Sequence, residues 1–237
     1  MQDFVCRLEC CHQLTPQVAQ IFLSNKAACL NYQAGQYIKV VHPDLSTSPL
    51  SIANAPKKES SCLEFHLYHP NENQRAISIL NLLKENKQLI LRGPFGSCTV
   101  NALAPNKPII FLARGTGFAP IKAVIEELIQ KPDYPAIHLY WSVAGWRDLY
   151  MHNLVEQWVR TLKDFHFTAV LSREVPTTVT VKSGKMPEVV LQDYPDLSVY
   201  QVYASGPEAM VYAALEGMQE HGLDRKYFYS DLFDYVP

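Results

Sequence analysis

The 237-residue chain is 48% apolar and 19% charged, the balance of a globular protein rather than a disordered one. Its 21 Lys and Arg stand against 23 Asp and Glu for a formal net charge of −2, with no long basic run, which argues against a nucleic-acid surface because phosphate neutralisation needs clustered cations. No apolar stretch approaches the roughly 18 residues of a membrane span, and the polar, acidic first residues lack the apolar core of a secretory signal, so a cytoplasmic protein without membrane contact is expected.

From Phe4 to about Val100 the reading is mostly β. Phe4–Cys11, Val18–Leu23, Gln36–Val41, Ser51–Ala53, Cys62–Tyr68 and Gln88–Arg92 are short strand candidates separated by turn residues such as Gln33-Ala34-Gly35 and His42-Pro43-Asp44. With one helical insert at about Arg75–Glu85, the six strands predict a small antiparallel barrel, whose closure removes sheet edges that would template aggregation. Asn101–Lys107, with Pro105 ahead of Pro108, is the best linker, so residues 1–101 and 107–237 are expected to be two domains.

All six cysteines (Cys6, Cys10, Cys11, Cys29, Cys62, Cys98) fall in the first part. Their spacing is neither C-x-x-C nor the C-x4-C-x2-C of a plant-type iron–sulfur loop, so they are expected to be ordinary thiols with no metal bound.

After the linker, strands alternate with helices. Strand Ile109–Ala113 precedes helix Pro120–Gln130, and strand Ile137–Ser142 precedes a helix at about Leu149–Leu162. Strand Phe165–Leu171 leads through an irregular stretch to a helix near Met186–Gln192. Strand Val199–Ser205 precedes helix Pro207–His221, and Tyr227–Tyr229 closes the series. Five strands separated by helices predict an α/β unit with a five-stranded parallel sheet, whose ligands sit beyond the carboxyl ends of the strands. At those ends lie Gly115-Thr116-Gly117, Ser142, Ser172-Arg173, Ser205-Gly206-Pro207 and Ser230-Asp231, small and hydroxyl-bearing residues that suit a polar, extended ligand.

The stretch Ile109–Lys122 reads as buried strand, glycine turn and helix. Without side chains at 115 and 117 a polyanion can approach the backbone, and the helix's free N–H groups favour phosphate. Pro120 stands where a third glycine would complete Gly-x-Gly-x-x-Gly, and no Gly-Lys-Ser/Thr follows, so the turn alone does not identify its ligand.

Seven short stretches taken in order carry more. Gly35–Tyr37, Pro49–Ala53, His66–Tyr68, Gly93–Gly96, Gly115–Pro120, Tyr140–Ser142 and Ser205–Met210 form a series that resembles the ferredoxin–NADP reductase superfamily over nearly the whole chain. The resemblance is greatest to compact NAD(P)H:flavin reductases and to the reductase modules of sugar-dehydrase and oxygenase systems. It implies a flavin-binding barrel, for FAD or FMN, followed by a domain that binds NADH or NADPH.

By the same resemblance, Pro49, Leu50, Ser51 and Ile52 form the flavin segment, with the Ser51 hydroxyl near flavin N5, and His66, Leu67 and Tyr68 form the next strand along the flavin. Gly115, Thr116 and Gly117 receive the nicotinamide nucleotide, with Thr116 near both ligands; Ser51 and Thr116 are the expected catalytic pair. Ser142 lies on the nucleotide rim, and Gly206 and Pro207 flank the nicotinamide. Ser172 and Arg173, with Lys182 and Lys185 nearby, match where some relatives hold a 2′-phosphate, and Phe233 matches a C-terminal residue packed near the isoalloxazine.

Two residues depart from the family's pattern. Ser48 stands where Arg usually pairs with a flavin phosphate, a loss of about 1.5–3 kcal/mol that predicts weak flavin holding. Arg114 replaces the first glycine of the usual Gly-Gly-Thr-Gly. The electron acceptor is then either free flavin or a separate iron–sulfur protein; a non-catalytic nucleotide-binding module is the third reading.

Overall fold

The computed structural model describes residues 3–25, 30–57, 61–173 and 181–234. Cys29 lies outside them.

The first sheet is antiparallel, built from β1 (Asp3–Thr15), β2 (Val18–Ser24), β3 (Tyr37–Val41), β4 (Thr47–Ser51), β5 (Cys62–Tyr68) and β6 (Gln88–Phe95) in the order β4-β3-β6-β1-β2-β5. Inward residues such as Ile21, Leu23, Ile38, Val40, Phe65 and Leu91 are fully buried at the two-residue spacing of a strand. The edge strands meet where the Ala53 N–H donates to the Glu64 carbonyl at 2.8 Å, which brings the ends of the sheet together as a barrel requires. Helix α1 (Gln74–Asn86) is capped by Asn73, whose side chain accepts from the Ala76 N–H at 3.1 Å, and it seals one barrel mouth with Ala76, Ile79 and Leu83.

The second sheet is parallel: β7 (Ile109–Arg114), β8 (Ile137–Val143), β9 (Phe165–Leu171), β10 (Lys182–Ser183), β11 (Gln201–Ser205) and β12 (Phe228–Tyr229), in the order β10-β9-β8-β7-β11-β12. It has six strands rather than the five expected. The addition, β10, is two residues paired with Val170 and Leu171 at the edge, too short and polar to show a strand pattern. Helices α2 (Phe118–Leu128), α3 (His152–Thr161), α4 (Met186–Asp193) and α5 (Glu208–Glu220) intervene between strands, as parallel pairing demands. No helix among the described residues is long and apolar enough to cross a membrane.

The stretch Asn101–Lys107 is fastened rather than slack. Val100 and Leu103 are buried in the core of the parallel sheet. The side chain of Gln201, itself fully buried, accepts from the Ala104 N–H at 2.9 Å and donates to the carbonyls of Ala104 and Lys107 at 2.6 and 2.8 Å.

Helix α2 lies between the two sheets and is buried along most of its length, which draws even Lys122 out of water. The Lys122 Nζ donates to Glu64 Oε2 at 2.8 Å and to the Ala53 carbonyl at 3.0 Å, and pairs with Glu126 Oε1 at 2.7 Å. One turn on, Glu126 accepts from the Ala55 N–H and Glu127 from the Ala34 N–H, both at 3.1 Å. Three consecutive charged positions of one helix thus reach the barrel.

Burial alone would raise the Glu64 carboxyl, but the hydrogen bond from His66 and the Lys122 ammonium prevail and hold it near 2. Because this lies below the ordinary 4.5, Glu64 contributes stability that is fully present above about pH 4.5 and lost as pH falls toward 2. Between pH 5 and pH 3 the unfolding free energy measured by urea titration is expected to fall by about 2 kcal/mol that Glu64→Gln, although less stable at pH 5, does not show.

Candidate active site

Strand β7 ends at Arg114, and Gly115–Gly117 turn at once into α2. The turn is held from below: the buried Trp141 donates its Nε1–H to the Gly115 carbonyl at 3.0 Å, and its indole stacks on Phe118 with centroids 4.0 Å apart. Gly115 has φ +55, and a Cβ there would project into open space, leaving backbone accessible to a ligand. Gly117 is small for the opposite reason, since its Cβ would lie 2.1 Å from the Ser205 carbonyl oxygen. That close approach sets the ends of β7 and β11 side by side.

Two clefts open on this turn. The larger, about 480 Å³, runs along the carboxyl ends of the parallel strands and is lined by Gly115, Thr116 and Gly117, by Ser142, Ser172 and Arg173, and by Gly206 and Pro207. The smaller, about 330 Å³, lies against the barrel and is lined by Pro49, Leu50, Ser51, His66, Leu67 and Tyr68, with Asn73 at its far side. Tyr68, Thr116, Gly117 and Gly206 line both, so the clefts meet at the glycine turn.

The structure therefore brings all but two of the expected site residues to these walls. Ile52, just past the end of β4, is fully buried and packs into the barrel core rather than the cleft. Phe233 lines neither cleft; it packs on Phe228 and Tyr212 with the Arg225 guanidinium 4.5 Å from its ring centre. Asp231 and Leu232 stand in the smaller cleft instead. Lys182 and Lys185 also lie outside the larger cleft, paired with Asp193 and Glu188. Arg114 lines that cleft, and its guanidinium has no hydrogen bond or ion pair among the described residues.

Three groups had no role assigned from the amino-acid order: Asp231, Tyr150 and the Lys122–Glu64 pair. Asp231 is buried beside Ser205; loss of water pushes its carboxyl up to about 6, against the hydrogen bonds it receives. Its signal was present, since it sits at the rim beyond β12. His66 is buried with both nitrogens engaged: Nε2 lies 2.9 Å from Glu64 Oε1 and Nδ1 3.0 Å from the Tyr150 hydroxyl. Burial lowers the His66 pKa, so the ring is neutral. The carboxylate can only accept, hence Nε2 carries the proton and Nδ1 accepts from Tyr150. Tyr150 itself lines the larger cleft, and the Lys122–Glu64 pair lies behind. Among the described residues no group of three or more His, Cys, Asp or Glu is placed to hold a metal.

A family model described as an oxidoreductase NAD-binding domain matches residues 111–216, the glycine turn and most of the larger cleft's wall. The CDP-6-deoxy-L-threo-D-glycero-4-hexulose-3-dehydrase reductase of Yersinia pestis is 35% identical over 233 residues, 98% of this chain and 69% of that protein. This chain belongs to the ferredoxin–NADP reductase superfamily. It is therefore an NAD(P)H-dependent oxidoreductase that works with a flavin. The superfamily member NAD(P)H-flavin reductase of Vibrio harveyi is 25% identical and matches at nearly full length, 89% of this chain and 90% of that one. In the ferredoxin NADP+ reductase of Neisseria gonorrhoeae, solved with bound FAD and NADP, the same fold covers 97% of this chain and 98% of that one, with a TM-score of 0.81 at 15% identity.

Two outcomes follow from this geometry. Gly117→Ala forces a Cβ onto the Ser205 carbonyl, so it should lose about 1–3 kcal/mol in urea unfolding and displace the turn that joins the clefts. Asp231, held above its ordinary value, takes stability away as pH rises from about 4 to about 6. Asp231→Asn should be the flatter of the two across that interval, by about 2 kcal/mol.

Proposed function

We propose that the smaller cleft holds the flavin ring, that the larger holds the dihydronicotinamide nucleotide, and that the protein reduces flavin with NADH or NADPH. The single observation that carries this reading is the meeting of the two clefts at Tyr68, Thr116, Gly117 and Gly206, where two ligands can touch without protein between them. The domain assignment goes with it: residues 1–101 bind flavin and residues 107–237 bind nucleotide.

The residues fit these groups. The open side of Gly115 admits a phosphate to the turn, and Arg114 and Arg173 bring positive charge to the same cleft. Bound together, the nucleotide supplies a hydride and the flavin ring accepts it, so the protein's task is to align the two and exclude water. Ser51 lines the smaller cleft and Thr116 lines both, so each can offer a hydroxyl to the ligands there, and Gly206 has no room for a Cβ against Met210 and Arg114, which lets its strand end pack closely beside the junction. Asp231 and Ser205 add a polar edge in the smaller cleft.

The flavin is held loosely in this reading. The Ser48 hydroxyl lies 2.8 Å from His42 Nε2 and so is tied into the barrel, and Arg75, at the start of α1, is bonded to Ser46. Flavin then acts as a substrate that leaves after reduction. A second reading is favoured by the Yersinia relative, whose name couples the reductase to a dehydrase: electrons would pass to a separate protein while the flavin stays bound.

The absorbance spectrum of the purified protein separates the two. A colourless protein that oxidises NADH or NADPH once FMN, FAD or riboflavin is added supports the first; a yellow protein with poor turnover of free flavin supports the second. Nucleotide binding without oxidation in any flavin would overturn both. Arg114→Gly is expected to raise the nucleotide KM about fivefold with little change in the flavin KM, and the difference should shrink with added salt.

A further inference from the structure

The buried ion pair and the larger cleft are joined by a side chain that flavin reduction as described above leaves without a task. Tyr150 follows the short turn Trp146–Asp148, and its ring stands in the wall of the larger cleft. The ring is packed edge-on against Trp141, 5.0 Å away at 87°, and against Phe118, 6.2 Å away at 74°. Its hydroxyl points the other way, out of water, to His66 Nδ1.

From there the hydrogen bonds run in one direction. Tyr150 donates to His66, His66 donates through Nε2 to Glu64 Oε1, and Glu64 Oε2 accepts from Lys122 Nζ. Gln20 donates to Glu64 Oε1 at 2.7 Å, beside His66, and the Glu64 N–H donates to Asn54 Oδ1 at 2.8 Å, so both carboxylate oxygens are held. Edge-on packing sets where the Tyr150 ring lies but opposes its tilt only weakly. The hydroxyl bond is what fixes the tilt. A network satisfied at each member holds its end groups more rigidly than one isolated bond would.

We propose that Tyr150 is a positioning residue for the pyridine nucleotide, held in place from the barrel side by Lys122 acting through Glu64 and His66. The proposal rests on the assignment of the larger cleft to the nucleotide. It makes the buried charges under the flavin strand part of the nucleotide site, although none of Lys122, Glu64 or His66 lines that cleft.

The test titrates NADH, and separately NADPH, into flavin-free protein and follows nucleotide fluorescence, with the melting temperature recorded for every variant. Tyr150→Phe should raise Kd about fivefold, and because it leaves the buried His66 Nδ1 without its donor it should also lower the melting temperature by a few degrees while the protein stays folded. Lys122→Met should raise Kd similarly, Lys122→Arg should restore it, and the double variant Lys122→Met/Tyr150→Phe should bind no more weakly than the weaker single, because both cut one line. Wild-type affinity in Tyr150→Phe, or losses that multiply in the double variant, would overturn the proposal. Tyr150→Phe removes a single oxygen and leaves the ring packing in place, so its Kd decides the matter even if Lys122→Met does not fold. A wild-type protein that binds neither nucleotide removes the assignment of the cleft itself, and the proposal with it.

Discussion

An ammonium group taken out of water must be met by carboxylates, and for Lys122 one of them belongs to the other sheet. That requirement fixes the molecule. Helix α2 springs from the glycine turn, so whatever holds the helix against the barrel also holds the turn opposite Ser51 and His66. An apolar contact could slide without much cost. A buried lysine between Glu64 and Glu126 cannot, because any displacement leaves charge unpaired in a medium that does not solvate it. The buried pair is a source of geometric precision more than of net stability.

The glycine turn is the second fixed point. Its position is set from three sides, by the Trp141 indole beneath it, by the Ser205 carbonyl beside Gly117, and by the start of α2 behind it. The front is open. The junction of the two clefts is thus framed by backbone held from three sides, with the exposed side chain of Tyr68 lining both clefts and that of Arg114 the larger one.

What could be read from the amino-acid order follows a physical division. Residues whose role is local were legible: Gly115 and Gly117 because a tight turn needs them, Ser142 and Ser172 because strand ends of a parallel sheet point one way, and Pro49–Ser51 because the ordered series placed them. Roles that depend on partners far along the chain were not. Lys122 stands between Ile121 and Val124 in an apolar stripe, and only the tertiary structure shows that Glu64, 58 residues earlier, meets it. Tyr150 reads as one more aromatic before a helix until His66, 84 residues away, is seen to bond it. The shortfall at Phe233 has the same origin, since a C-terminal turn of four residues can present any of its side chains and the pull of Arg225 and Tyr212 decides which one. Gln201 converted an apparent linker into a clamp through bonds that local composition does not reveal.

The Trp141 indole gives the molecule an intrinsic optical reporter. Its N–H is bonded to the Gly115 carbonyl and its ring lies flat against Phe118, so the excited-state dipole senses the backbone at the mouth of the cleft. With Trp146 and Trp158 replaced by Phe, emission from this tryptophan alone registers the condition of the turn without any added label, and stopped-flow fluorescence can follow the site filling and emptying.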